Sequence, residues 1–305
     1  MGIASYIKEI GRGRDGARAL TREQAADLMG QVLDGTVTDL EVGAFCLAMR
    51  IKGETAQEMA GFLDATRMRL QQVPNAGQAT VVLPSYNGAR KLPVLTPLLA
   101  LLLAREGLAV VVHGMATENG RTSTQKVLET LGRRSHSAIE SIANSQVQYL
   151  PTELLCPGLA RLLDVRRVVG LRNPAHSLVK LMNPCLGQAL VVSSYTHPEY
   201  AISMAQTIEL MQANALLLRG TEGEVVADAR RMPPMDGFLQ GQRMALETAQ
   251  TGTLATLPDL PKAIDAATTA AYIEAVLAGR QAVPTPIARQ VEHILQMIKK
   301  MSSPS

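Results

Sequence analysis

The stretch 79-ATVVLPSYNGARKLPVLTPLLALLLARE-106 decides the fold, because a strand, a loop and a helix follow one another in it without a break. Residues 80–83 form a short apolar run that predicts a buried strand. A proline, a glycine and two basic residues then interrupt the run over 84–91, and the Leu-rich segment beyond them predicts a helix. In a parallel α/β protein, a loop in this position usually holds an anion at the start of the helix.

Further strands of the same kind are predicted downstream. Short β-rich runs recur at 108–113, 147–150, 189–195 and 215–218, and most of them are separated by segments long enough for a helix. This pattern is typical of a parallel sheet that is wrapped by helices. An amphipathic helix is predicted at the end of the chain, over 286–301.

The first seventy residues predict helices only. Three capping boxes, Thr21-x-x-Gln24, Thr38-x-x-Glu41 and Thr55-x-x-Glu58, each open an apolar-periodic segment. We therefore predict an α/β two-domain protein. A small all-α domain spans 1–73, and a larger α/β domain with a mainly parallel central sheet spans 78–305.

Composition limits the class of protein. The 305 residues are 47% hydrophobic and 19% charged, which predicts a folded chain with a substantial core. No apolar run approaches the roughly 20 residues that cross a bilayer, and the N-terminus lacks the apolar segment of a secretory signal. Cys46, Cys156 and Cys185 lie far apart without metal-ligand spacing. We expect a cytoplasmic protein with reduced thiols, no metal and no membrane partner.

The charged residues are clustered although the net charge is small. The chain carries 30 Lys and Arg against 27 Asp and Glu, a formal charge of +3. Five basic residues and one acid lie between Arg161 and Lys180, three arginines lie over 12–18, and Arg90-Lys91 have no acid beside them until Glu106. Any one cluster is explained by a solvated face. Several together favour a polyanionic partner.

The helical opening, 20-LTREQAADLMGQVLDGTVTDLEVGAFCLAMRIKGETAQEMAGFLDATR-67, resembles the N-terminal domain of anthranilate phosphoribosyltransferase, whose fold pyrimidine nucleoside phosphorylases share. The similarity continues in order through 113-HG-114, 127-VLETLG-132, 169-VGLRNPAHSLVKLMNP-184 and 219-RGTEGEV-225. The resemblance implies that helices from about 160–182 join the helical domain. It also implies a homodimer formed through the first helices, with apolar faces from Ile3, Ile7, Ile10 and 42–51.

The departures from the enzymes bear on activity. The enzymes hold pyrophosphate in a Gly-Thr-Gly-Gly-Asp-Gly loop. This chain has 84-PSYNGARK-91 in the same place, and Tyr86 is expected to add bulk where the ligand would lie. Their Lys-His-Gly-Asn-Arg segment is 112-VHGMA-116, and their magnesium-binding acidic pair aligns with Val225 and Val226. We expect a binding protein rather than an enzyme, without catalytic residues or cofactors. The residues of the vestigial phosphoribosyl site are Ser85, Asn87, Gly88, His113 and Gly114.

Four segments, 9-EIGRGRDGARAL-20, 83-LPSYNGARK-91, 193-SSYTHPEY-200 and 219-RGTEGEV-225, are similar to the YbiB group, a nucleic-acid-binding branch of this family. The resemblance implies binding of DNA or RNA. With 3% aromatic residues and no Trp, the chain is poorly supplied for base stacking, so we expect low sequence specificity. The candidate contacts are Arg12, Arg14, Arg90, Lys91, Arg166, Arg167, Arg172 and Lys180.

Other interpretations stay open at this point. Arg172 matches the arginine that contacts anthranilate in the enzymes, and equally suits a structural ion pair. One alternative is a glycosyl- or phosphoribosyltransferase with an unrecognised substrate, in which His113, Arg172 and Lys180 hold an anion. Another is a structural or regulatory module whose dimeric helical domain contacts a protein partner.

Overall fold

Four helices open the chain: α1 Ala4–Ile10, α2 Arg22–Asp34, α3 Asp39–Lys52 and α4 Ala56–Arg67. The computed structural model describes residues 2–13, 15–74, 76–253 and 257–302. All three predicted capping boxes are confirmed. The hydroxyl oxygens of Thr21, Thr38 and Thr55 each accept a hydrogen bond from the backbone N–H of the third helical residue, and the side chain of that residue accepts one from the backbone N–H of the Thr. The edge-to-face contact of Phe45 and Phe62, 6.0 Å between ring centroids, lies in the core of these helices.

A seven-stranded sheet follows, in the order β3-β2-β1-β4-β5-β6-β7. The strands β1 to β5 pair in parallel, which confirms the five predicted strands, and β6 and β7 add an antiparallel hairpin that was not predicted. Their bounds are β1 Thr80–Ser85, β2 Ala109–Gly114, β3 Val147–Pro151, β4 Ala189–Tyr195, β5 Ala215–Arg219, β6 Met235–Leu239 and β7 Gln242–Glu247.

The remaining helices pack around the sheet. They are α5 Thr96–Arg105, α6 Thr124–Thr130, α7 Thr152–Leu155, α8 Pro157–Val169, α9 Ala175–Leu181, α10 Pro198–Leu210, α11 Ala266–Leu277 and α12 Thr285–Ser302. The predicted terminal helix is thus confirmed. So is the fold class, a small helical domain with a larger α/β domain around a mostly parallel sheet. Within the described residues, no helix combines the length and apolar character that a membrane span requires.

Helices α8 and α9 lie between β3 and β4 in sequence but pack against the opening helices. Leu159 and Leu163 of α8 and Leu178 of α9 share one buried core with Leu28 of α2 and Phe62 of α4. The prediction that helices from about 160–182 join the helical domain requires such contacts between α8, α9 and the opening helices. The boundaries 1–73 and 78–305 themselves stay a prediction.

A crevice opens where β1 and β4 separate. The two strands pair only at their first three residues, 80–82 with 189–191, after which β1 pairs with β2 alone and β4 with β5 alone. Since β1 and β4 are neighbours whose connections run to opposite sides of the sheet, their carboxyl ends form the switch point at which α/β proteins bind ligands. Ser85 and Tyr195 end the two strands at this crevice.

The apolar residues proposed for a dimer face divide into two groups. Ile3 and Ile10 are fully buried in the core of the protein itself, so their assignment to a free face was wrong. In the predicted segment 42–51 of α3, Leu47 and Ile51 are 46% and 63% exposed, and Leu40 at the start of the same helix is 84% exposed. Their spacing places them on one side of that helix.

Candidate nucleic-acid interface

The loop after β1 binds a carboxylate of the protein itself. Oε1 of Glu224 accepts hydrogen bonds from the backbone N–H groups of Asn87 and Gly88, at 2.8 and 2.9 Å. Oε2 accepts hydrogen bonds from the hydroxyl groups of Ser85 and Thr96, the latter at 2.9 Å. The side chain is buried among these donors. The anion position at the β1–α5 connection is therefore filled by Glu224.

The segment that carries Glu224 is fixed in the crevice between β1 and β4. The carbonyl oxygen of Gly223 accepts hydrogen bonds from Ser194 Oγ and Asn87 Nδ2, each at 2.9 Å. Gly223 has φ +89°, and a Cβ there would lie 2.8 Å from Asn87 Nδ2. A glycine is needed at this position because both the backbone angle and the close approach exclude a side chain.

A second carboxylate, that of Glu222, binds the backbone of the loop on its exposed side. Glu222 accepts hydrogen bonds from the backbone N–H groups of Arg90 and Lys91, at 2.7 and 2.9 Å. Glu222 adopts φ +54°, which is uncommon for a residue with a side chain and marks a constrained backbone. The expectation that Arg90 and Lys91 have no acidic neighbour was wrong, because the chain fold brings Glu222 to them from more than a hundred residues away.

The side chain of Tyr86 points away from the loop and into the core. Its hydroxyl group lies 2.9 Å from His113 Nδ1 and 3.2 Å from Thr152 Oγ1, and burial raises its pKa above the usual range. The expectation that Tyr86 fills the ligand position was therefore wrong. Burial lowers the pKa of His113 to about 3, so this imidazole is neutral at physiological pH. Gly114 permits β2 to approach β1, since a Cβ there would lie 1.8 Å from Ser85 O.

Three arginines surround a single carboxylate beside the loop. Glu118 lies 2.6 Å from Arg121, 2.6 Å from Arg166 and 3.7 Å from Arg172. Burial opposes its ionisation, but the hydrogen bond from Arg166 and the charges of the arginines together hold the pKa of Glu118 below its usual value. The cluster retains an excess of positive charge. Arg121 was not predicted, because it lies outside the clusters that the sequence shows.

Arg172 and Lys180 reach the crevice from α9 and the turn before it. Arg172 donates a hydrogen bond to Asn87 Oδ1 at 2.7 Å, and burial together with the neighbouring Arg166 lowers its pKa. Lys180 donates to the carbonyl oxygen of Ser194 at 2.9 Å. Burial and the charge of Arg172 lower the pKa of Lys180 to about 8. In the described part of the chain, no carboxylate forms an ion pair with Lys180.

The cavity next to these two residues, which we call the cleft cavity, has a volume of about 140 Å³. It lies between the turn from α3 to α4, helix α9 and the loop after β4. Its charged and aromatic lining includes Arg50, Glu54, Arg172, His176, Lys180 and Tyr200. Sequence reasoning did not assign Arg50 or His176 to a site: Arg50 lies outside the predicted basic clusters, and His176, although it lies in the segment 169–184, was not chosen as a contact residue.

The other predicted contact residues occupy different environments. Arg167 bonds Asp164 at 2.8 Å and Asn119 at 2.7 Å, and Arg12 pairs with Glu9 at 2.6 Å. Arg14 lies outside the described residues. Arg90 and Lys91 expose side chains that form no ion pair within the described ranges. The structure thus brings Arg166, Arg172, Lys180 and the β1–α5 loop together, whereas Arg12 pairs with Glu9 of α1.

Comparison with known proteins agrees with this architecture. Residues 4–69 match the family model described as the glycosyl transferase family, helical bundle domain. The anthranilate phosphoribosyltransferase structure from Thermus thermophilus superposes with a TM-score of 0.69 at 22% identity, covering 93% of this chain and 85% of that one. The Saccharomyces cerevisiae enzyme in complex with PRPP and Mg gives 0.70 at 14% identity, covering 98% and 89%. The fold is that of anthranilate phosphoribosyltransferase.

Full-length relatives define the family more closely. The chain is 40% identical over 299 residues to the uncharacterized protein YbiB of Escherichia coli (strain K12), which covers 95% of this chain and 92% of the relative. It is 28% identical over 261 residues to the anthranilate phosphoribosyltransferase of Symbiobacterium thermophilum, covering 80% and 73%. The chain belongs to the YbiB family of proteins with this fold.

Proposed function

We propose that this protein binds DNA or RNA through its phosphates, with low sequence specificity, and does not transfer phosphoribosyl groups. The observation that carries the proposal is the occupation of the β1–α5 loop by Glu224. A protein that uses its own carboxylate in the phosphate position has no free donors there for a small phosphate ligand. The cations around the crevice are then not neutralised by a ligand bound in this loop.

Pyrophosphate and magnesium, the ligands that the fold family implies, do not fit the residues present. A pyrophosphate at the loop would meet the buried carboxylate of Glu224, which already accepts the backbone N–H groups of Asn87 and Gly88. The positions that align with the magnesium-binding acids are Val225 and Val226, both fully buried in an apolar core and without oxygen ligands in their side chains. We therefore derive no catalytic step through either group.

The distribution of cations supports a polyanionic ligand. Glu118 balances only one of the three arginines around it, and Lys180 has no ion pair in the described part of the chain. The side chains of Arg90 and Lys91 are exposed on the β1–α5 loop, and their backbone N–H groups donate hydrogen bonds to Glu222. A nucleic-acid backbone places charges along such a surface and gains affinity by counterion release.

The transferase alternative has weaker support. It requires His113 to hold an anion, yet His113 is completely buried against Tyr86, and its pKa of about 3 keeps it neutral. Arg172 and Lys180 are the only members of that anion-holding set that line the cleft cavity.

We further propose a homodimer that uses the exposed apolar side of α3. Leu40, Leu47 and Ile51 are spaced to share one helix face, and exposed apolar clusters of this kind commonly mark an interface. Dimerisation would double each basic cluster about a twofold axis, so that weak contacts act together on one nucleic acid.

The proposed function is tested by a salt titration. We expect a fluorescent random-sequence oligonucleotide to bind with log K falling linearly with log salt, at about −0.9 per neutralised phosphate on duplex DNA and about −0.7 on single strands. Oligonucleotides of fixed sequence should bind with the same affinity. Absence of binding at low salt, or a large preference for one sequence, would contradict the proposal.

A double variant locates the contacts. Arg90→Ala with Lys91→Ala should flatten the salt slope by up to about two units and weaken all sequences alike. The matched control is Arg105→Ala with Arg280→Ala. Arg105 is the last residue of α5, at the opposite end of the sheet from the crevice, and it contacts the end of α11 near Arg280. An unchanged slope in the first variant would remove this loop from the interface.

A further inference from the structure

The cleft cavity is built for an anion rather than for a neutral ligand. Three cations, Arg50, Arg172 and Lys180, line it together with one carboxylate, Glu54. Burial raises the pKa of Glu54, which weakens the negative charge that it brings. The cavity therefore has an excess of positive charge, carried in part by the partly buried Arg172 and Lys180, and such charges attract an anion.

A buried, unpartnered donor lies in the same cavity. His176 is nine-tenths buried and lines it, and its Nε2 atom has no hydrogen-bond partner. The other ring nitrogen, Nδ1, accepts a hydrogen bond from the backbone N–H of Asn173 at 3.3 Å, which leaves the proton of the neutral ring on Nε2. Buried polar atoms are nearly always hydrogen-bonded, so an unpaired Nε2 beside a charged cavity is available to a ligand atom.

The size and the rim of the cavity restrict what can enter. A volume of about 140 Å³ accommodates one phosphate group and not a length of nucleic-acid backbone. At the rim, the exposed ring of His197 and the ring of Tyr200 lie 6.5 Å apart at a tilt of 52°. Aromatic rings in this position can contact the sugar or base attached to a phosphate that enters the cavity.

We propose that the cleft cavity binds a phosphomonoester, with Arg172 and Lys180 as its cationic partners and His176 Nε2 as a hydrogen-bond donor. This inference extends the proposed function and rests on it, because the phosphate is taken to be the terminal phosphate of a bound nucleic acid. Phosphodiesters inside a strand contact the exposed arginines, whereas a terminal phosphate can enter the cavity. A free nucleotide carries the same chemical group, so the two sources must be separated by experiment.

The test compares short single-stranded DNAs that differ only in their ends. We expect a 5′- or 3′-phosphate to tighten binding about tenfold or more over the same strand with hydroxyl ends. Lys180→Met should bring the ratio of the two dissociation constants close to one. Lys180→Met removes a charge that burial already disfavours, so the variant should fold. Arg50→Gln, at an exposed position of α3, should lower the ratio of the two dissociation constants without disturbing the hydrophobic core of the protein. The control Lys126→Met, exposed on α6, should keep the parent ratio.

The outcomes separate this inference from the proposed function. Thermal shift by a nucleoside monophosphate, lost in Lys180→Met, supports the cavity with a free nucleotide as its ligand, even if no oligonucleotide binds. Equal affinity for phosphate and hydroxyl ends, with a steep salt slope and no shift by the nucleotide, overturns the cavity and leaves nucleic-acid binding intact. A phosphate preference that survives both Lys180→Met and Arg50→Gln also overturns it.

Discussion

Oε1 of Glu224 lies 2.8 Å from the backbone nitrogen of Asn87. The two residues are 137 positions apart, yet the carboxylate takes the place that an external anion occupies in loops of this type. The loop therefore keeps the geometry of a phosphate-binding site while its donors are satisfied within the chain. Under the proposed function, this internal contact explains how the chain keeps the fold of an enzyme while its positive charge is left for a larger ligand.

Glu224→Ala should destabilise the protein by about 1–3 kcal/mol, because two backbone N–H groups and two hydroxyl groups lose their acceptor. Inorganic phosphate should restore part of this loss by binding the vacated donors. The measurement is urea unfolding in phosphate and in chloride at equal ionic strength. Glu274→Ala, an exposed acid on α11, is the control. Equal phosphate responses of the parent and Glu224→Ala would show that the loop is no longer an anion site.

The parent protein should show no magnesium-dependent binding of phosphoribosyl pyrophosphate and no turnover of it with anthranilate. Glu224 occupies the loop, and Val225 and Val226 offer no oxygen to a metal. Isothermal calorimetry with and without magnesium is the direct measurement, and an active anthranilate phosphoribosyltransferase is the positive control. Micromolar, magnesium-dependent affinity would contradict the prediction.

The parts of the structure that the sequence predicted are those with local signals. The capping boxes at Thr21, Thr38 and Thr55 fixed three helices, and continuous apolar runs located β1 to β5. The hairpin of β6 and β7 was missed because β7 is largely exposed and Met244 and Leu246 are its only large apolar residues, too few for a clear strand pattern. Its two-residue turn uses Gln240-Gly241 at positive φ rather than the more recognisable Asn-Gly.

The site depends on contacts that no local pattern encodes. The resemblance of 219-RGTEGEV-225 to the enzymes' magnesium-binding segment placed Glu222 and Glu224 near the phosphoribosyl site. No local pattern, however, indicates that their carboxylates accept hydrogen bonds from the backbone of 87–91. Glu118 and its arginines are assembled from separate segments in the same way. Ile3 and Ile10 show the opposite case, because an apolar helix face does not reveal whether it meets its own core or a second chain.

Light scattering should give a mass of about twice the 32.7 kDa of one chain. Leu47→Asp with Ile51→Asp should convert the dimer to a monomer, because two charges on the exposed side of α3 would have to be buried in the interface. Met68→Asp, which places a charge on an apolar residue that is 84% exposed elsewhere, should leave the mass unchanged. A parent protein that is monomeric at micromolar concentration would remove the dimer from the proposal.

Acid should destabilise the protein, in part through two buried histidines. The pKa values of His113 and His176 are lowered from 6.5 to about 3 by burial, and at His176 also by Arg172. The unfolded chain therefore binds protons below about pH 6.5 that the folded protein does not bind, so stability present above that pH is lost as the pH falls. Each histidine contributes a slope of up to about 1.4 kcal/mol per pH unit until the pH nears 3.

His113→Gln should remove one of these two contributions while it keeps a polar side chain beside Tyr86. Urea unfolding at several pH values should show the parent more stable than the variant near neutrality. The difference should shrink by up to about 1.4 kcal/mol for each pH unit below about 6, because only the parent still has a neutral His113 to protonate on unfolding. His136→Gln, an exposed histidine, should follow the parent at every pH. A parallel pH dependence of parent and His113→Gln would show that His113 has the same pKa in the folded protein as in the unfolded chain.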